Sequence, residues 1–227
     1  MPLGLEFSAA SPISLPSLRS LAIRSGGDNM GPLCHISAPF LEDLSLSWPY
    51  GIGSNLRRLC EEVIDFQQNR SSSTLFSLTI REIKGMDKQM VGMLLSAFPS
   101  IKLFRTVNIR YKDDLFQCLT LQSRKSMSDD DSPREPKAIL LPHLTHLEVL
   151  GLYSDRYQRW ECELLCDLIC SRWWTESDES SHNGLSCLQK VTLDQGSELS
   201  FTEMLTISRL APGLEVTVLP IFNDFPY

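Results

Sequence analysis

Leu141-Pro142-His143-Leu144-Thr145-His146-Leu147-Glu148-Val149 places apolar residues at Leu144, Leu147 and Val149, a step of three and then of two. The same spacing returns at Leu18-Leu21-Ile23, Leu41-Leu44-Leu46, Leu75-Leu78-Ile80, Ile101-Phe104-Thr106, Leu188-Val191-Leu193 and, weakest, Leu214-Thr217-Leu219. The lead-in is shared as well: Leu15-Pro16-Ser17-Leu18, Ala38-Pro39-Phe40-Leu41 and Phe98-Pro99-Ser100-Ile101 match Leu141-Pro142-His143-Leu144. Proline supplies no backbone donor, which suits a position just ahead of a strand. Intervals between copies run 23, 34, 26, 43, 44 and 26 residues, irregular but recurrent.

A different period fills the gaps. Leu56, Leu59, Cys60, Val63 and Ile64 form one apolar helix face behind a cap candidate, Ser54. Met90, Val91, Leu94, Ala97 and Phe98 repeat that geometry after Asp87, and Leu115, Cys118 and Leu119 predict a shorter helix. Cys162, Leu165, Cys166, Ile169, Cys170 and Trp173 mark a fourth, and Ser200 to Glu203 reads as a capping box opening a fifth. Strand alternating with helix implies parallel strands joined by crossover helices.

Sidedness distinguishes two architectures with that order. Central strands of a doubly wound sheet are covered on both faces and read as continuous apolar runs. Here Ser45, Thr79, Arg105, Glu148 and Thr192 sit between the last two apolar positions, so one sheet face meets water. The expected fold is α/β, an irregular leucine-rich-repeat solenoid of the ribonuclease-inhibitor type, with parallel strands on the inner face and helices on the outer face. One domain is expected over 1–227, interrupted by mobile loops at 123–137 and 175–184. Ser128 and Ser132 in the first loop resemble phosphorylation sites.

Composition narrows the function classes. A net charge of -7 argues against non-specific nucleic-acid binding, and no apolar run approaches a membrane span. Seven scattered cysteines and no signal peptide point to an intracellular protein, cytoplasmic or nuclear, with reduced thiols. In that compartment the sequon Asn69-Arg70-Ser71 is a chance match. Leu3-Gly4-Leu5 followed by Phe7 reads as the tail of a template lacking its first apolar residue, so a fragment or truncated relative of a longer chain is expected.

Few residues offer chemistry. Gly51-Ile52-Gly53-Ser54-Asn55-Leu56 follows a strand and opens a helix, as a dinucleotide site would. Leu56 takes the third glycine's place, however, and Glu82, the next acidic residue at a strand end, lies 29 positions beyond Gly53, so a tight turn is the better reading. Cys162, Cys166 and Cys170 share a helix face without a second ligand pair, which favours core packing over zinc. His143 and His146, three apart at a strand, point to opposite faces, with His146 on the solvated side. No nucleophile elbow, phosphate loop or zinc-protease helix is present in the sequence, and no enzyme activity, metal or cofactor is expected.

The phrases Leu15-Pro16-Ser17-Leu18-Arg19-Ser20-Leu21, Ala38-Pro39-Phe40-Leu41-Glu42-Asp43-Leu44-Ser45-Leu46 and Leu141 to Val149 resemble the C-terminal leucine-rich region of fungal F-box-like proteins. That resemblance implies a repeat region that holds a substrate of a cullin ubiquitin ligase. A Skp-type adaptor would be a partner only if a longer chain carries an F-box, because no such segment precedes the repeats. The Asn or Cys usual three residues after the last leucine is replaced by Gly26, Pro49, Ile83, Ile109, Leu152, Gly196 and Phe222, so the regular side-chain ladder is missing. The expected partner is a protein on the inner face, met by Arg24, Asp43, Arg81, Arg105, His146, Glu148, Lys190 and Asp194. On this reading three arginines gather toward the N-terminal half and acidic groups toward the C-terminal half.

Overall fold

The computed structural model describes residues 12–24, 33–49, 53–71, 75–83, 86–109, 112–121, 139–150, 162–174, 184–194 and 201–219. The half-template at 3–7, the loop at 123–137, residues 175–183 and the paired glycine Gly51 lie outside them.

Every copy of the spacing becomes a strand. In chain order the strands are β1 (Ile13–Ser14), β2 (Ser20–Arg24), β3 (Ile36–Ser37), β4 (Asp43–Ser47), β5 (Ser77–Arg81), β6 (Leu103–Val107), β7 (His146–Leu150), β8 (Lys190–Asp194) and β9 (Glu215–Leu219). Helices α1 (Gly53–Asn69), α2 (Lys88–Ser96), α3 (Lys112–Leu119), α4 (Cys162–Arg172) and α5 (Phe201–Leu210) fill the intervals from β4 onward. A seven-stranded parallel sheet runs β2-β4-β5-β6-β7-β8-β9, in chain order and not closed into a barrel, while β1 and β3 pair separately. The small pair β1–β3 carries no repeat spacing and was not legible.

Register makes the repeat physical. Leu21, Leu44, Leu78, Phe104, Leu147, Val191 and Val216 are successive cross-strand partners, one from each strand. Two residues on, Ile23, Leu46, Ile80, Thr106, Val149, Leu193 and Val218 form a second row. From β4 to β8 the apolar members of these rows join Leu56, Leu59, Val63, Leu94, Leu115, Leu165 and Ile207 of the helices in one buried cluster, with Leu21 and Val216 packed against it and Val218 exposed at the end. Each leucine removed from water there stabilises the fold by about 2 kcal/mol.

Backbone bonds repeat with the side chains. The carbonyl of Arg19 accepts from the amides of Glu42 and Asp43, that of Glu42 from Phe76 and Ser77, that of Phe76 from Lys102 and Leu103. Lys102 and Thr145 continue the series, each accepting two amides of the following strand. Ahead of the strands the proline phrases close turns: the amides of Leu18, Leu41, Ile101 and Leu144 donate to the carbonyls of Leu15, Ala38, Phe98 and Leu141. Proline is therefore at the second position of a β-turn, where its fixed φ is pre-set, a stronger reason for it than a missing donor. Ala211-Pro212-Gly213-Leu214 is a further turn of this kind, with Gly213 at φ 95°.

That last turn corrects the seventh template. Leu214-Thr217-Leu219 was expected to supply the apolar row, but Val216 and Val218 take those positions, beside Val191 and Leu193. One residue is missing between turn and strand, and a one-residue shift turns every side chain to the other face. Thr217 and Leu219 therefore join the opposite side of the sheet. The ladder positions behave as expected: Ile83 and Ile109 stand where Asn or Cys would and are buried.

Helix ends explain the rest. Asp87 caps α2 by accepting from the Met90 amide at 2.8 Å. Helix α1 starts at Gly53, and the side chain of Ser54, the cap candidate, lies outside the described residues. Two helix C-termini end in arginines that point into the protein. Arg70, following α1, reaches the Leu33 carbonyl at 3.0 Å and pairs with Asp65, tying in the segment before β3. Arg172, the last residue of α4, is 1% exposed and donates to the carbonyls of Leu119 (2.6 Å), Leu141 (3.0 Å) and Leu140 (2.5 Å). Its neighbour Ser171 accepts from the Leu121 amide at 3.0 Å. Leu141 adopts φ 48°, a strained conformation for a branched residue, and Arg172 holds its carbonyl in place. Burial pulls the guanidinium down to about 10, still charged at neutral pH.

Arg172→Met should keep the volume and orphan three carbonyls, lowering stability by about 3 kcal/mol or more. Urea unfolding followed by circular dichroism measures this, and a loss below about 1 kcal/mol would contradict the assigned clamp.

Candidate functional site

Opposite the helix-covered face, alternation leaves three rows of side chains. The first is Ser20, Asp43, Ser77, Leu103, His146, Lys190 and Glu215, set by register as cross-strand partners. The second is Ala22, Ser45, Thr79, Arg105, Glu148, Thr192 and Thr217. Arg24, Ser47, Arg81, Val107 and Leu150 continue into a third, with Asp194 beside Leu219 at its far end. Seven of the eight residues expected at a partner site therefore lie on strands of one face; Asp194 ends β8, and its side chain lies outside the described residues.

The face does not sort its charges into basic and acidic halves. Arg105 and Glu148 are directly opposed on β6 and β7 and form a half-buried ion pair. Lys190 pairs with Glu215 across β8 and β9. Arg24 reaches Glu82 at 3.6 Å, and Glu82 also accepts from the Ser47 hydroxyl at 3.1 Å. Two of these pairs join neighbouring strands, and the third spans from β2 to the residue after β5. Arg24 and Arg81 do share a row, two strand spacings or about 10 Å apart. Among the described residues neither Arg81 nor Asp43 has an ion-pair or hydrogen-bond partner for its side chain.

Two of these participants were hidden in the sequence. Glu215 is placed by β9, whose register the leucine spacing misjudged by one residue. Glu82 follows β5 with φ 55°, a left-handed position that swings the chain out of the strand, and Asn108 does the same after β6. Hydrogen bonds and charge attraction from Lys190 hold the Glu215 carboxyl below its ordinary range, with Thr217 and His146 adding to it. The Lys190 pair therefore persists above the ordinary carboxylate pKa and weakens as pH falls through the lowered value.

His146 occupies β7 on the open face, and its Nδ1 lies 2.8 Å from the Thr145 hydroxyl. His143 sits in the preceding turn and is exposed, so strand parity does not decide its direction as expected. The cysteine reading needs a correction as well. Cys166 is half-buried and Cys170 exposed, while Leu165, Leu168, Ile169 and Arg172 form the buried stripe of α4. A four-residue step overshoots a helix turn by about 40°, so successive cysteines walk off that stripe. The side chain of Cys162 lies outside the described residues.

Among the described residues no group of three or more His, Cys, Asp or Glu is placed to hold a metal ion. A void lined by Ile80, Val91, Leu94, Phe104 and Leu115 holds about 10 Å³, space for one water and not for a ligand. No described helix is long and apolar enough to cross a membrane. No protein-family model and no curated protein matches the chain.

Removing Arg105 and Glu148 singly and together should return a coupling energy of about 1 kcal/mol by chemical unfolding. Zero coupling would reduce the pair to a geometric coincidence. Cysteine labelling separates the thiols: burial pushes the Cys60 thiol up to about 12, and Cys34 is exposed. At pH 8, maleimide labelling read by mass spectrometry should mark Cys34 in the native protein and Cys60 only after unfolding.

Proposed function

We propose that this chain is a leucine-rich-repeat solenoid that binds another protein on its open strand face and catalyses no reaction. The observation that carries the reading is one register kept across seven strands, with one apolar and one polar side. Repeats stacked this way present an extended polar sheet surface of the kind that repeat proteins use for partners. In biological terms we propose the substrate-recognition region of an F-box-like ubiquitin-ligase receptor, on the resemblance of the proline-leucine phrases. An intracellular site of action goes with that proposal.

A dinucleotide enzyme using Gly51 to Leu56 fits less well. Open α/β sheets bind ligands where the strand order reverses, and from β2 to β9 the order never does. Leu56, at the third glycine's place, is fully buried in the core, where a dinucleotide fold needs a residue without a side chain for close helix–strand packing.

Ser45→Tyr puts a bulky side chain in the middle row, and Glu61→Lys alters an exposed residue of α1. Proteins captured from cell extract by the wild type and by Glu61→Lys are expected to be lost with Ser45→Tyr. Equal capture by all three would move the binding surface elsewhere. Proximity labelling with the full-length gene product tests the receptor role, and recovery of no ubiquitin-ligase component would remove it. A rise of several degrees in Tm with a dinucleotide would overturn the binding-only reading.

A further inference from the structure

We infer that the N-terminal part of the open face recognises a polypeptide segment of opposite polarity, one carboxylate seated on Arg81 and one cation on Asp43. The inference rests on the protein-binding reading above and names the partner's chemistry.

Charge pairing singles out these two residues. Along the face Arg24 is answered by Glu82, Arg105 by Glu148 and Lys190 by Glu215. Arg81 and Asp43 remain without a partner among the described residues. Arg81 is half-buried as a residue, and among the described residues its guanidinium meets no carboxylate or carbonyl. An incoming carboxylate would supply two parallel acceptors to that fork, the geometry in which arginine binds best.

Their placement sets the spacing. Asp43 begins β4 and is the cross-strand partner of Ser77, which begins β5; Arg81 ends β5 four residues later. One strand spacing across and four residues along put the two charges about 14 Å apart. Between and beside them stand Ala22, Ser45, Ser47, Ser77 and Thr79, all small. On β6 and β7 the same rows carry Leu103, Arg105, Val107, His146 and Glu148, which are larger. The shallow part of the face is thus the part with unanswered charge at each end. A partner needs a basic and an acidic residue about four apart if extended, or about nine apart if helical. Like-charge contact at either end rejects the reverse orientation, so the pair also sets direction.

The probe is a displayed library of random peptides about 14 residues long, enough for either spacing. Wild type and the double reversal Asp43→Lys/Arg81→Glu are panned separately, with thermal midpoints checked for each. Wild type should enrich peptides with one basic and one acidic residue at one of those spacings. The reversed variant should enrich the opposite order and lose wild-type peptides by roughly tenfold or more. Should the double variant not fold, Arg81→Gln and Asp43→Asn, which keep the size, are each expected to weaken wild-type peptides. Enriched peptides without paired charges, or indifferent to these changes, would overturn the inference and leave protein binding intact. No enrichment on the wild type would overturn both.

Discussion

Everything in this fold depends on strands pairing in parallel without a shift of register. Position for position, β2 to β8 lay the same template residue beside its counterpart, and β9 continues the rows with Val216 and Val218, so a one-dimensional spacing becomes rows in space. Two rows are apolar and the helices cover them. Three rows lie on the opposite face, where Ser47, Ser77, Thr79, Val107 and Thr192 are themselves buried and Arg24 and Asp43 are exposed. The shared carbonyls of Arg19, Glu42, Phe76, Lys102 and Thr145, each accepting two amides of the next strand, lock this register independently of side chains. Backbone and side chains therefore enforce one arrangement, the kind of agreement between levels that makes a sequence foldable.

The parts legible in the sequence are those that obey a local period. Leu44, Leu78, Leu147 and Val191 could be read because a strand alternates every two residues, and Leu59, Val63 and Leu94 because a helix returns every 3.6. Arg172 could not. Its worth comes from the carbonyls of Leu119, Leu140 and Leu141, far away in sequence, and a lone arginine at a helix end looks like a solvated one. The β9 register was misread for a related reason. Deleting one residue after Ala211-Pro212-Gly213 leaves the leucine count plausible while turning the strand over. The cysteines of α4 failed on rotation, since a step of four is nearly but not quite a turn.

On the open face, strand position was legible and pairing was not. Arg24, Asp43, Arg81, Arg105, His146, Glu148 and Lys190 all belong to the open-face rows that spacing assigned. Their mutual arrangement depends on which strands are adjacent and on Glu82, placed by its left-handed backbone outside any strand. Arg105–Glu148 and Lys190–Glu215, each across neighbouring strands, leave a surface with little net field over β6 to β9, so recognition there rests on shape and hydrogen bonding more than on long-range attraction.

Arg172 has one further consequence, for how the chain can change length. Through Ser171 and its own guanidinium, the end of α4 holds Leu121 on one side and Leu140 and Leu141 on the other. The chain therefore leaves at Leu121 and returns at Leu140 through positions that are already fixed. Closing a loop between fixed ends costs only about 0.6 kcal/mol for each doubling of its length. Repeat intervals of 23 and 43 residues can therefore coexist in one unshifted sheet. The joint at Arg172 lets insertions accumulate there at little thermodynamic cost, which turns a uniform stack into one that can acquire new segments without being rebuilt.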